Sequence, residues 1–369
     1  MISGKKILIL SHTPSISNFK IGSHHYANQL ARAGHNVTFM GTPFSLMHKL
    51  TGKKCVGLDQ INDSVRIDEF KFIFPITTKR NWFFIFVNKI TDFLIRMAQG
   101  RKSRYDIIIC DYPFFEPYIN VFKYKKIIYR PTDNYSTMSG IKVLTYEKKL
   151  IAKADAVIAT SNEVAEFLSE KNKLNKDIKV INNGYDAEFF FSDDSIEKKG
   201  AIYIGAIDYR FDIKAMECLA SNFKNDVFDI YGPISTEMEI EIKRIESEHS
   251  NIKFHGPISY NKTAEKLRQA KVGLLPLNDS DANKGRSPMK LWEYAASGLN
   301  VLYRGVNLDY KKDVSFLYEY ADYDDLLLMY KNAYSADFTK SNQDMVEKQS
   351  WVEKTNELQD IIKEIFNGK

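Results

Sequence analysis

Apolar residues along this chain gather in short runs that alternate with stretches of helical period, and polar turns separate the two. Lys5-Lys-Ile-Leu-Ile-Leu-Ser-His12 predicts a strand leading into a loop. Gly22-Ser-His-His-Tyr-Ala-Asn-Gln-Leu-Ala-Arg-Ala-Gly34 predicts a helix with a glycine stop, and His35-Asn-Val-Thr-Phe-Met40 the next strand. Strand, loop, helix, strand is a βαβ unit. It implies a parallel sheet, because only a crossover returns the chain in the same direction. The alternation continues through Tyr105–Cys110, Lys126–Arg130, a helix near 142–153, Ala156–Thr160, another helix and Ile178–Ile181.

A second series starts after the polar stretch Phe191-Ser-Asp-Asp-Ser-Ile-Glu-Lys-Lys-Gly200. Strands are predicted at 201–205, 227–231, 252–255, 272–276 and 300–303, with helices at about 211–222, 260–270 and 288–297. Ser350–Phe366 reads as one amphipathic helix. The predicted class is therefore α/β, with two Rossmann-like domains facing a cleft and a boundary around 185–200. Folds of this kind bind ligands outside the carboxyl ends of their strands. Several families share the architecture, sugar-nucleotide epimerases among them, so the fold alone does not give function.

A length of 369 residues accommodates two such domains, and 44% hydrophobic with 27% charged residues is a globular composition. Charge changes the picture more. Residues 1–180 carry 28 Lys+Arg against 15 Asp+Glu, a net of +13, while the remainder nets −8. A basic half of this kind suggests a polyanion as partner, either nucleic acid or an anionic membrane surface. The Lys and Arg are scattered and no aromatic RNA-binding signature accompanies them, so the expectation is no nucleic acid. Cys55, Cys110 and Cys218 form neither a disulfide framework nor a zinc motif, which suits a reducing compartment. Met1 runs almost directly into a strand, without a signal peptide, and no stretch has the length of a transmembrane helix. The expected location is cytoplasmic.

The most informative chemistry lies in Lys284-Gly-Arg-Ser-Pro-Met-Lys-Leu-Trp-Glu-Tyr-Ala-Ala-Ser-Gly298. It reads as a basic loop feeding a helix, Met289 to Ser297, with Ser287 as cap, Pro288 in the first turn and Gly298 as stop. Helix N–H groups and the positive end of the dipole, flanked by Lys284, Arg286 and Lys290, suit a diphosphate. Glu293, three residues after Lys290, can accept from a ribose hydroxyl. Strand ends at Gly205, His255-Gly-Pro-Ile258 and Leu275-Pro-Leu277 are expected on the same side, with Gly205 allowing close backbone approach, Arg210 as a phosphate partner and Asp212 as an N-cap. In the first half, Ser11-His-Thr-Pro-Ser-Ile-Ser-Asn-Phe-Lys-Ile-Gly22 has neither G-x-G-x-x-G nor a P-loop, which argues against a dinucleotide or ATP there. Its hydroxyls, Asn18 and His24–His25 suit a polyol. Asp133, in Tyr129-Arg-Pro-Thr-Asp-Asn-Tyr-Ser136, follows a strand end and is either a general base or the cap of a turn before Ser136.

Gly205-Ala-Ile207, His255-Gly-Pro-Ile258, Ser287-Pro-Met-Lys-Leu-Trp-Glu-Tyr294, Ala296-Ser-Gly298, the closing Ser350-Trp351 helix and Asn182-Asn-Gly-Tyr-Asp186 together resemble nucleotide-sugar glycosyltransferases of the GT-B fold. The likeness is greatest to the xanthan glucuronosyltransferase and related bacterial polysaccharide transferases, and it spans essentially the whole chain. It implies an acceptor-binding domain at 1–185, a nucleotide-sugar-binding domain at 186–349 and a helix at 350–369 packing back on the first. It further implies Asp133 as catalytic base. Donor contacts would come from Gly205, Ala206, Ile207, Arg210, Gly256, Ile258, Lys284, Arg286, Ser287, Met289, Lys290 and Glu293. Acceptor contacts would come from His12, Ser15, Asn18, His24, Arg130 and Asn134. The chain departs from the pattern at Gly285, where family 4 carries a Glu, and at Asn134, where the xanthan enzyme carries a Gly.

The resulting expectation is a peripheral glycosyltransferase moving a sugar, with inversion, from a UDP-linked nucleotide sugar to a saccharide or lipid-linked saccharide. It uses no cofactor and no metal. The rivals are a non-hydrolysing UDP-sugar epimerase and a nucleic-acid-binding protein. The aromatic segment Thr78–Met97 reads either as a core helix or as a membrane-interface helix, with Trp82, Phe83 and Phe86 inserted and Lys79, Arg80, Lys89 and Arg96 at headgroup level.

Overall fold

The structure, a computed structural model, describes residues 4–54, 56–76, 81–100, 104–136, 140–172, 177–280, 283, 287–306, 308 and 314–368. It divides into two compact units, residues 1–182 with 351–369, and residues 183–350.

The first unit contains β1 (Lys6–Leu10), β2 (Ile16–Ser17), α1 (Gly22–Arg32), β3 (Asn36–Met40), α2 (Leu46–Leu50), β4 (Leu58–Asp59) and β5 (Arg66–Ile67). These are followed by α3 (Trp82–Ala98), β6 (Arg104–Cys110), a 3₁₀ stretch (Pro113–Val121), β7 (Lys123–Tyr129), α4 (Val143–Lys153), β8 (Ala156–Ala159), α5 (Asn162–Asn172) and β9 (Ile178–Val180). Its sheet has seven strands in the order β5-β3-β1-β6-β7-β8-β9, and all the pairings are parallel. β1 is an inner strand, with Ile7 opposite Val37 on one side and Ile107 on the other. Ile7, Leu8, Ile107, Ile108, Ile127 and Ile128 are all buried, so both faces of the sheet are covered. That explains why these strands read as continuous apolar runs and not as alternating ones. The closing helix, here α12 (Trp351–Asn367), belongs to this unit: Trp351 stacks on His25 of α1 at 4.8 Å and meets Tyr26 edge-on at 5.3 Å.

The second unit runs β10 (Ala201–Ile204), α6 (Ile213–Asn222), β11 (Phe228–Tyr231), α7 (Glu239–Glu248), β12 (Ile252–Gly256), α8 (Tyr260–Gln269) and β13 (Val272–Pro276). It continues with α9 (Met289–Ala296), β14 (Asn300–Arg304), β15 (Leu317–Glu319), α10 (Tyr323–Ser335) and α11 (Lys340–Glu347). The sheet order is β12-β11-β10-β13-β14-β15, again parallel throughout. Asp212 caps α6 by accepting from the Ala215 amide at 3.1 Å.

Three expectations change. Ser287 does not cap α9: the cap position is Pro288, without a side-chain bond, and the Ser287 hydroxyl accepts instead from the Asn183 amide at 2.9 Å. The 78–97 segment is not a core helix, since α3 buries only Asn88, Asp92 and Arg96. Arg96 is therefore not at headgroup level. It is buried and bonded to Asp92 at 2.7 Å and Asp68 at 2.9 Å. Lys79 and Arg80 lie outside the described residues.

Candidate functional site

In the first unit the chain leaves β1 toward β3 on one side and later returns to β6 on the other, so the two crossovers part at the carboxyl ends of β1 and β6. That switch point is where doubly wound sheets take ligands. His12 and Asp111 stand there. The Asp111 carboxylate is buried and accepts from the His12 amide at 2.8 Å and from the Ser23 hydroxyl. The His12 ring nitrogen Nδ1 is 3.5 Å from the same carboxylate. Burial alone would lower the His12 pKa, but the charge and bonding of Asp111, with a further contribution from Asp133, raise it. Burial alone would raise that of Asp111, but the His12 charge and the bonds from His12 and Ser23 hold it below the ordinary carboxylate range. Tyr135 donates to the Asp111 carbonyl at 2.8 Å and shares a 2.9 Å bond with the Thr132 hydroxyl.

Asp133 lies four residues beyond β7, half-buried, and accepts from Thr132 at 3.1 Å. The turn before Ser136 is made by its neighbour Asn134, whose Oδ1 accepts from the Ser136 amide at 3.2 Å and hydroxyl at 2.9 Å. Asn134 is thus a turn former. Ser15 and Asn18 flank β2, which pairs antiparallel with β4; the Ser15 carbonyl accepts from the Gln60 amide at 2.9 Å and Asn18 is exposed.

Two expected acceptor residues are fully buried. His24 is fully buried, its Nδ1 accepts from the Ile21 amide at 3.1 Å and its Nε2 is 2.9 Å from the Pro14 carbonyl. Burial takes its pKa down to about 4. It pins the loop to α1 and has no nitrogen left for a ligand. Arg130 is also buried, with its guanidinium 4.6 Å from the Tyr26 ring centre. Its charge is felt at His12, where it opposes the pull of Asp111.

The second unit's switch point lies at the ends of β10 and β13. Gly205 and Gly232 follow the adjacent strands β10 and β11. A Cβ at Gly232 would meet the Gly205 carbonyl at 1.7 Å, so the backbones of the β10 and β11 ends touch there. A Cβ at Gly205 would meet the Tyr203 hydroxyl at 2.4 Å and Lys290 Cε at 3.0 Å. The room at Gly205 is therefore used by Tyr203 and by the Lys290 stem, not by a ligand as expected from sequence. Lys290 crosses the end of β10. One helical turn on, Glu293 is buried in the same helix, and its pKa is pushed up to about 7, by burial first and by the Asp186 charge, against the pull of Lys290. Asp186 is itself buried, and Asn183 from the same stretch grips Ser287 by its amide at 2.9 Å and by Nδ2 to the carbonyl at 2.9 Å.

The remaining expected donor residues divide. Met289 and Gly256 are partly exposed, and nothing stands within 4 Å of a Cβ placed on Gly256. Ala206 is half-exposed, its carbonyl accepting from Tyr203 at 2.9 Å, while Ile258 packs partly against the core. Ile207 is fully buried and its amide bonds Pro233 at 2.9 Å, so its side chain belongs to the core. Arg210 is held in a two-pronged pair with Asp208, at 2.9 and 2.5 Å, which competes with any phosphate. Lys284 and Arg286 lie outside the described residues. Among the described residues one trio has metal-ligand spacing, Glu217, Glu248 and His249, but Arg244 already bridges both carboxylates at 2.8 and 2.6 Å.

Residues 23–189 match the profile of Glycosyltransferase Family 4. The chain is 20% identical over 234 residues to TuaH of Bacillus subtilis (strain 168), a protein assigned as a teichuronic acid biosynthesis glycosyltransferase, a match covering 58% of this chain. The chain spans 59% of the length of that curated relative. Solved structures match over nearly all of it. Sucrose-phosphate synthase from Thermosynechococcus elongatus superposes with a TM-score of 0.71 at 14% identity, covering 99% of this chain and 100% of that one. Anabaena Alr3699/HepE, in complex with UDP and glucose, gives 0.67 at 12%, covering 97% and 99%. WaaG, a glycosyltransferase involved in lipopolysaccharide biosynthesis, gives 0.65 at 12%, covering 96% and 99%. The fold is GT-B, and the specific likeness to the xanthan enzyme is not among these matches.

Sequence reasoning missed Asp111, Ser23, Tyr135, Gly232 and Asp186. Asp111 was within reach, because it follows a predicted strand end in the same way as Asp133. Ser23 and Tyr135 join it only through contacts 88 and 24 residues apart, and no local pattern encodes those.

Proposed function

We propose that this protein transfers a sugar from a nucleoside diphosphate sugar, a UDP-sugar in the first instance, to a hydroxyl of a saccharide acceptor in the building of a bacterial surface polysaccharide. The observation that carries the reading is the Lys290–Glu293 pair on α9. A cation lies across a strand end at the N-terminus of α9, with a buried carboxyl of pKa about 7 one turn behind. A diphosphate suits the first and a ribose hydroxyl the second. The UDP held by Alr3699/HepE on the same fold supports a nucleotide donor.

In this reading the acceptor is held by the first unit. Its hydroxyl oxygen attacks the anomeric carbon, the bond from that carbon to the diphosphate oxygen breaks, and the configuration inverts. The acceptor proton passes to the Asp133 carboxylate, and the electron pair leaves with the diphosphate. Its charge is met by Lys290 and the first amides of α9. The raised pKa of His12 gives the same edge a second proton-carrying group, positioned by Asp111.

A panel of nucleotide sugars, supplied with and without a membrane lipid extract from a polysaccharide-producing bacterium, tests this. Transfer of labelled sugar into the extract is the expected result. Turnover of a UDP-sugar to its epimer with no acceptor present would overturn it in favour of the epimerase.

A further inference from the structure

Helix α3 is built inside out. Its fully buried side chains are polar: Asn88, Asp92 and Arg96, at i, i+4 and i+8, are tied to the 68–74 segment, with Ile85 half-buried against the core beside them. Asn88 Oδ1 accepts from the amides of Ile73 at 3.1 Å and Phe74 at 2.9 Å, and its Nδ2 donates to the Phe74 carbonyl at 2.9 Å. Asp92 accepts from the Lys71 amide at 2.8 Å, and Arg96 reaches Asp68 and the Glu69 carbonyl. The outward face carries Trp82, Phe83, Phe86, Ile90, Phe93, Leu94 and Met97, with Trp82 75%, Phe93 52% and Met97 63% exposed. An ordinary surface helix does the reverse, and contiguous apolar surface of this kind marks a contact.

Two neighbours extend the face. The amides of Leu46 and Met47 in α2 bond the carbonyls of Phe72 and Ile73, so the strap that holds α3 also holds α2. That short helix buries nothing and exposes Leu46, Met47 and Leu50 beside Lys49, Lys53 and Lys54. On the other side, a groove of about 400 Å³ runs between α3 and α4, with Trp82, Phe86, Lys89, Tyr146 and Lys149 among its lining. The one acid lining it among the described residues, Glu116, is engaged by Lys153 at 2.5 Å. Apolar side chains are thus rimmed by cations, and the acid nearby is already neutralised. Among the described residues no helix is long and apolar enough to cross a membrane. The 17-residue α3 can lie in an interface and cannot span it.

We propose that α3, with α2 beside it, docks this protein on an anionic lipid bilayer: Trp82, Phe86, Phe93 and Met97 enter the acyl boundary, and a lipid headgroup phosphate sits in the groove between Lys89 and Lys149. This does not depend on the sugar-transfer reading. The test is floatation of the full chain with vesicles of phosphatidylcholine alone or with about one-third phosphatidylglycerol. Binding is expected only to the anionic vesicles and is released by salt, since charge attraction there reaches about 8 Å at physiological ionic strength. Lys89→Ala with Lys149→Ala is expected to weaken partitioning about 30-fold, the scale of two cations at an anionic surface.

Trp82→Ser with Phe86→Ser and Phe93→Ser is expected to abolish floatation with an unchanged melting temperature, and Trp82→Ser alone serves if the triple variant unfolds. Equal binding to both vesicles, full binding by the Trp82→Ser protein, or no binding by the parent would overturn the proposal. So would a lipid-free dimer, seen by sedimentation, that the same substitutions dissociate, because the face would then belong to a second copy. UDP titration of the same variants reads the second unit separately, so loss of one reading does not disturb the other.

Discussion

At the end of β1 the first unit gathers a buried carboxylate, an imidazole and two hydroxyls; at the end of β10 the second gathers glycines and a single lysine stem. Both places are switch points of a parallel sheet, yet one is furnished with fixed charge and the other with closely packed backbone crossed by one cation. The difference is instructive. In the reaction we propose, a group that moves a proton has its ionisation state set in advance, as Asp111 sets that of His12. A surface that must receive a diphosphate needs backbone amides within reach, which any side chain would block. The second unit also keeps one carboxyl unpaid by a full partner, Glu293, whose burial outweighs Lys290.

The largest expected effect tests the proton-moving edge. Asp133→Asn keeps the shape and loses the base, so sugar transfer should fall by about 10²- to 10⁴-fold while UDP affinity persists. Steady-state transfer measured beside calorimetry separates the two, and transfer near the parent rate would reduce Asp133 to a partner of Thr132.

The next tests whether the second edge is strained by its function. Glu293 has a folded pKa of about 7 against 4.5 for the free side chain. The native state therefore holds the extra proton, and stability is greatest below about 4.5 and is lost as pH rises through about 7. Glu293→Gln cannot ionise. It should gain on the parent between pH 4 and pH 8 by on the order of 3 kcal/mol, read from urea midpoints. Parallel pH curves for the two proteins would show that the carboxyl is not strained.

Lys290→Ala sharpens the same edge. UDP binding should weaken by roughly 1.5–3 kcal/mol, the scale of a charged hydrogen bond, and unchanged calorimetric affinity would remove the diphosphate from α9.

The smallest effect belongs to the pairing of His12 with Asp111. With its pKa raised, His12 stabilises the fold fully below 6.5 and ceases to as pH rises through the raised value. Asp111→Asn should flatten that decline, visible as a smaller loss of melting temperature between pH 6 and pH 9, and it should move the NMR titration of His12 downward.

Much of this was legible in advance for a physical reason. Runs such as Ile7–Leu10 and Ile107–Cys110 are buried on both faces, so the strands announce themselves by composition. Glu293 and Lys290, three residues apart on one helix, likewise carry their geometry in their spacing. What escaped was long-range or inverted. His24 suggests a ligand only until the Pro14 carbonyl is seen to occupy its second nitrogen. Arg130 is a free cation in sequence and a ring-stacked one in the fold. Helix α7 (Glu239–Glu248) is polar along most of its length and was passed over because only Ile242 and Ile245 are buried in it.

The placement of Trp351 has a consequence for the order in which the molecule is made. The first unit is discontinuous: α1 buries His25 and Tyr26 against a helix separated from them by more than three hundred residues of chain. On the ribosome, the 183–350 unit is a single uninterrupted segment that can close as soon as it emerges. The first unit, though synthesised earlier, must wait with one flank of α1 uncovered until the last helix arrives. Folding then runs against the order of synthesis, and the half that is translated first is the half that a chaperone has most time to find.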